Sequence, residues 1–90
     1  MSDQEIGRAL EGLEGWSRRD KEIVREFQFR DFVEALGFIA RVGLLAERAD
    51  HHPTLTNTYN RVEVALWSHD SDGVTERDVA LAGEVNERAG

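Results

Sequence analysis

The stretch DFVEALGFIARVGLLAERADHHP, residues 31–53, decides the architecture of this chain. Asp31 with Glu34 three positions later is a helix-start pattern. Phe32, Ala35, Leu36, Ile39, Val42 and Ala46 follow at helical steps. The spacing predicts the longest helix of the chain, running to about Ala49. Pro53 disfavours helical backbone for His52 and bounds the helix from behind.

Working outward, both flanks read as strands and then as a further helix. Upstream, Trp16-Ser17-Arg18 and Glu22 to Phe29 read as two strands around the polar turn Arg19-Asp20-Lys21. Ile23, Phe27 and Phe29 share one face of the second strand, with Arg25 as the exception. Before them, Ser2 and Glu5 form a capping-box pattern, and Ile6, Ala9, Leu10 and Leu13 predict a short amphipathic helix over residues 2–13. Gly12 and Gly15 punctuate its end. Downstream, Arg61 to Ser68 alternates Val62, Val64 and Leu66 against Arg61, Glu63 and Ala65, a strand with one buried face. Leu55 to Tyr59 is a shorter extended stretch that pairs with it or lies along the sheet edge. Asp70 to Gly73 is a turn, and Thr75 caps a last helix with apolar positions Val79, Ala82 and Val85.

The order is αββαββα. The expected fold is a single α+β domain over residues 1–90, a four-stranded antiparallel sheet with helices packed on one face. The other face and the sheet edges are then open to a partner subunit. Ninety residues bury a modest core, so a homo-oligomer is expected.

Composition removes several function classes. Eleven Lys and Arg against 18 Asp and Glu give a net charge of −7, so direct binding to nucleic-acid phosphates is not expected. The absence of cysteine removes disulfides, thiolate nucleophiles and cysteine-based zinc sites, and it suits a reducing compartment. The longest apolar stretches fall far short of a membrane span. Met1-Ser2-Asp3-Gln4-Glu5 is polar and acidic, unlike a secretory signal. A cytoplasmic location is the expectation.

All three histidines fall within residues 51–69, in the pattern Glu47-x3-His51-His52-Pro53-x5-Tyr59-x9-His69-x8-Asp78. Histidine is the side chain best suited to moving protons near neutral pH. Glu47 and His51 are four apart and would share a face at the helix end, as an acid–base group or as a plain helix-end ion pair. Pro53 stiffens the backbone that aims His52, although His-His-Pro also occurs in ordinary loops. His69 follows a strand, a rigid base for a catalytic group, or else it is a turn histidine bonded to Asp70 or Asp72. Asp78 stands where a carboxylate caps a helix without any chemistry. Tyr59 and Trp67 could stack a flat heterocycle, or serve core and interface. Glu47, His51, His52 and His69 could also ligate zinc, but adjacent histidines in extended chain point apart, so acid–base use ranks above metal.

The whole constellation, spacing included, resembles the pterin-4a-carbinolamine dehydratases, also called 4a-hydroxytetrahydrobiopterin dehydratases. Glu47, His51, His52, Pro53, Tyr59, His69 and Asp78 match every position of that signature. Phe27-Gln28-Phe29-Arg30-Asp31-Phe32, Gly37-Phe38 with Arg41-Val42, Asp50, Tyr59-Asn60-x-Val62 and Thr75-Glu76-Arg77-Asp78 look like family sequence too. The likeness covers roughly Gly15 to Ala82.

The resemblance implies an αββαββα domain assembled as a homodimer or homotetramer through sheet edges and helices. It implies the loss of water from a 4a-hydroxytetrahydropterin left by aromatic amino-acid hydroxylases, giving quinonoid dihydropterin, with no cofactor and no metal. By resemblance, His51 and His69 are the acid–base candidates and His52 mainly holds the pterin, while Glu47, Arg77 and Asp78 orient imidazoles or substrate. Pro53 and Tyr59 belong to the same binding set. Many animal members carry an aromatic two positions after the proline, where this chain has Leu55, so a wall of the pocket differs. The family also includes dimerisation cofactors and assembly factors, so a non-catalytic interaction protein on the same fold is the rival expectation.

Overall fold

A computed structural model describes residues 1–89. The elements are α1 (Asp3–Glu11), β1 (Ser17–Arg19), β2 (Glu22–Gln28), α2 (Phe32–Ala49), β3 (Thr54–Thr58), β4 (Arg61–Leu66), one 3-10 turn (His69–Ser71) and α3 (Glu76–Ala89). Local chemistry sets the helix starts. The Ser2 hydroxyl accepts the Glu5 N–H at 3.1 Å while Glu5 accepts the Ser2 N–H at 2.7 Å, a complete capping box. Asp31 accepts the Glu34 N–H at 2.9 Å at the start of α2.

The strands pair antiparallel in the order β1-β2-β4-β3. Both hairpins turn on two residues, and the first of each, Asp20 and Tyr59, sits in the left-handed region at φ 57° and 51°. The register sets Ile23 opposite Leu66 and Phe27 opposite Val62. Those residues and Val64 form one apolar face, covered by Ala35, Phe38, Val42 and Leu45 of α2, by Leu81, Ala82 and Val85 of α3, and by Ile6 of α1. Strand pleating turns Glu22, Glu26, Arg61 and Glu63 to the opposite, polar face. There Arg19 bridges Glu22 and Glu63, each at 2.8 Å. The sheet is therefore packed on one side and solvated on the other.

Two helix faces differ from the periodicity reading. On α2, Phe32 and Leu36 are exposed, whereas Phe38 and Leu45 enter the core. The cause is a helix with two apolar stripes, because Val33, Leu36, Ala40 and Leu44 repeat at the same helical step as the buried set. On α3 the core takes Leu81 with Ala82 and Val85, and Val79 is only half-buried. Asp78 lies on that inward side and has no exposed surface.

Arg25 occupies an inward position of β2 without being an error in the pattern. Its guanidinium lies 4.4 Å above the Phe27 ring and donates to the Glu14 carbonyl at 2.6 Å and to Asn86 at 2.8 Å. Gly15, at φ 83°, makes room for it, since a Cβ there would fall 2.4 Å from the Arg25 Nε.

Candidate active site

The site gathers where α2 ends, β4 ends and α3 begins. Asp50 terminates α2 in the left-handed conformation, φ 50° and ψ 45°, and its N–H returns to the helix carbonyls. The His51 N–H bonds the Ala46 carbonyl at 3.1 Å, completing a Schellman-type end with Asp in the position usually given to Gly. This reversal swings His51 beneath the helix end. Its Nε2 lies 2.5 Å from Asp78 Oδ1, and the ring is largely buried, with 9% of the residue exposed.

The expected Glu47–His51 pair is therefore not formed. Glu47 meets His52 instead, Oε1 to Nε2 at 2.8 Å, on an open surface. The i,i+4 rule holds only while the backbone is helical, and the left-handed Asp50 ends that. Adjacent histidines do point apart, as extended chain requires, one to α3 and one back to α2.

Asp78 is held from three sides. Besides His51, its Oδ2 accepts the Ser68 hydroxyl at 2.9 Å and the Thr75 N–H at 2.8 Å. Ser68 and Thr75 share a hydroxyl–hydroxyl bond of 2.7 Å. Asp78 does serve as a first-turn cap, bonding the Thr75 N–H, but the Thr75 hydroxyl goes to Ser68 and the remaining carboxylate oxygen goes to His51. Ser68 was not among the residues singled out from sequence. A signal for it exists: Val62, Val64, Leu66 and Ser68 share one strand parity, so a hydroxyl follows three core residues and needs a buried partner.

Arg77 reaches across the helix junction, donating from Nη2 to the Asp50 carbonyl at 2.9 Å. It separates two hollows. One, of about 170 Å³, is lined by His51 with Ala49, Ala80, Leu81 and Glu84. The other, of about 430 Å³, is lined by Ser68, Asp70, Ser71, Thr75, Glu76 and the N-terminal Met1 and Glu5. His69 stands on the exposed 3-10 turn, its ring stacked on Trp67 with centroids 4.0 Å apart. Pro53, half-buried, joins His52 to β3. Tyr59 lies at the far end of the β3–β4 hairpin, six residues on from Pro53, roughly 20 Å along an extended chain. Among the described residues, no three His, Asp or Glu side chains converge as a metal site would require. Among the same described residues, no helix is long and apolar enough to cross a membrane.

The pterin 4 alpha carbinolamine dehydratase family matches residues 1–88. The chain belongs to that family. A protein of Nitrobacter winogradskyi, which bears the provisional name pterin-4-alpha-carbinolamine dehydratase, is 53% identical over 88 residues, covering 96% of this chain and 87% of the relative. The crystal structure of a "transcriptional coactivator/pterin dehydratase" from Brucella melitensis superposes with a TM-score of 0.96 at 44% identity, covering 100% of this chain and 98% of that one. A "pterin dehydratase-like protein" identified as a RuBisCO assembly factor of the alpha-carboxysome shares the fold, with a TM-score of 0.69 at 20% identity over 83% of this chain and 87% of that one.

Proposed function

We propose that this protein is a hydro-lyase that dehydrates a 4a-hydroxytetrahydropterin to quinonoid dihydropterin during pterin recycling. The observation that carries the reading is the His51–Asp78 pair, a histidine braced from behind by a buried carboxylate, in a chain that the family matches over residues 1–88. The 4a-oxygen leaves as water once an acid protonates it, and the proton on N5 passes to a base, so protons balance without redox change. His51 and His69 take the acid–base roles. His52, exposed and tied to Glu47, holds the substrate, with Arg77 and Asp78 orienting groups around it. Pro53 fixes the approach of His52, whereas Tyr59, at the far end of the hairpin, would reach the substrate only in a site shared between subunits. No metal and no cofactor take part.

The working form is a homodimer or homotetramer in the cytoplasm, acting on a small pterin and on neither membrane nor nucleic acid. A chain without cysteine fits a reducing compartment, and an acidic one does not attract phosphate backbones. The test is a dehydration assay on freshly made 4a-hydroxytetrahydropterin with chelator-treated protein. Turnover that survives chelation supports the reading. Bound zinc whose removal abolishes turnover would overturn the metal-free mechanism.

The second reading is an interaction protein. It is favoured by the unpartnered apolar stripe on α2, where Val33 and Leu44 are 76% and 73% exposed, and by relatives described as a coactivator and as an assembly factor. Absence of turnover in the same assay, with the protein folded, would bring it forward.

A further inference from the structure

We propose that Asp78 fixes the tautomer of His51, making Nδ1 the nitrogen that exchanges protons, and that Ser68 and Thr75 fix Asp78. The catalytic part of this rests on the dehydratase reading, whereas the tautomer is a property of the protein alone.

Bond directions follow from what each group can do. A carboxylate only accepts, so the Ser68 hydroxyl donates to Asp78 Oδ2, the oxygen that also receives the Thr75 N–H. Ser68 has then spent its proton, so the Thr75 hydroxyl donates to Ser68. All protons point toward Asp78. The remaining oxygen, Oδ1, faces His51 Nε2 at 2.5 Å and can only accept, so Nε2 carries the hydrogen. The neutral ring therefore keeps its lone pair on Nδ1. Among the described residues no buried side-chain polar atom lacks a partner, and Nδ1 has no partner among them, so solvent reaches it. The His51 ring lines the hollow beside Arg77, where a ligand could meet that atom. A proton taken at Nδ1 leaves an imidazolium bonded to Asp78 through Nε2, and the same nitrogen returns it. Ser68, Thr75 and Asp78 act through His51 and are positioning residues.

The geometry makes a sharp statement about Asp78→Asn. Two donors, the Ser68 hydroxyl and the Thr75 N–H, converge on one oxygen position, so the amide must place its oxygen there. Its NH2 group then faces His51 and donates to Nε2. The ring has to carry its hydrogen on Nδ1, and the lone pair is lost from the working side, the logic by which a triad aspartate sets its histidine.

Long-range proton–nitrogen NMR of uniformly nitrogen-labelled full-length protein, without substrate, reads the tautomer directly. With pH raised until the ring is neutral, the wild type is expected in the Nε2–H form and Asp78→Asn in the Nδ1–H form. The variant should also lose kcat, by no more than His51→Ala loses and up to about 10²-fold, with little change in KM. Ser68→Ala leaves the Thr75 N–H on Oδ2, so it should keep the wild-type tautomer and lose much less. A wild type in the Nδ1–H form overturns the proposal whether or not Asp78→Asn folds. An Asp78→Asn protein that folds and keeps the Nε2–H form overturns the pinning by Ser68 and Thr75. A protein with the expected tautomers but no dehydratase turnover retains the positioning assignment and loses the function reading.

Discussion

Asp78 is a buried carboxylate receiving three hydrogen bonds, and each of its donors would be stranded by its removal. Asp78→Ala should destabilise the fold by about 3 kcal/mol, the scale of leaving buried hydrogen-bond donors unpaired. Urea melts of the variant and wild type check it, and a loss below half that value would mean that solvent reaches the donors. The histidines should divide by environment. His52 is exposed beside Glu47, so His52→Ala is expected mainly to raise KM, since an anchor serves ground and transition states alike. His51→Ala and His69→Ala should mainly lower kcat, by about 10²–10⁴-fold for a full acid–base loss. Each single loss can be partial where the other imidazole serves the opposite 4a-hydroxyl face, so the double variant should lose far more. Steady-state kinetics on the two singles and the double decide it, and a folded double variant with near wild-type kcat would make the imidazoles structural.

Among the elements, helix ends carry the most local information. The Ser2–Glu5 box holds the Glu5 carboxyl below its ordinary value of 4.5, first through the Ser2 N–H and then through the Ser2 hydroxyl. A depressed carboxyl supports the native state above its unfolded pKa and loses that support as pH falls through the folded one. Protection against amide exchange in the first turn of α1, measured relative to the intrinsic rate at each pH, should therefore fall on acidification below about 4.5, before that of the core strands. Glu5→Gln, which keeps much of the box without the charge, should flatten the effect. Element order, both caps and the inward set of β4 were readable from residue spacing, because caps and strand alternation are local rules. The direction of His51 was not, because a left-handed Asp50 is invisible to helical counting. Nor was the buried side of α2, where two apolar stripes satisfy the same period. Ser68 became meaningful only once α3 brought Asp78 against it.

For the whole molecule, the exposed stripe of α2 is the feature a lone protomer leaves unexplained. Val33, Leu36 and Leu44 stand 76%, 45% and 73% exposed, with Gly37, Ala40 and Gly43 between them as small surfaces for close helix approach. If this stripe joins subunits, Leu44→Glu should shift the protein to a smaller species in light scattering at micromolar concentration while the circular dichroism of the fold is kept. A wild type that is monomeric at that concentration would remove the oligomer from the proposed function. The sheet's other face makes a poor alternative seam, because Glu26 and Glu63 lie directly opposite each other there, Glu26 exposed and Glu63 already held by Arg19.

The β3–β4 hairpin carries a different message in its turn. Tyr59, 62% exposed, is held at φ 51° in a conformation that asparagine or glycine would adopt with less strain. Relief of about 1 kcal/mol by Tyr59→Gly would raise the melting temperature by about 4–8 °C in a domain of this size. Differential scanning calorimetry on the variant measures it, and an unchanged or lower melting temperature would show that the phenol ring supports the fold after all. A higher melting temperature in the variant would mean that the chain gives up heat tolerance at its tip to keep an aromatic ring facing outward. A thermostabilising programme that ranks substitutions by folding energy alone would erase that ring first, and binding and turnover assays on the hardened protein would reveal what the ring was kept for.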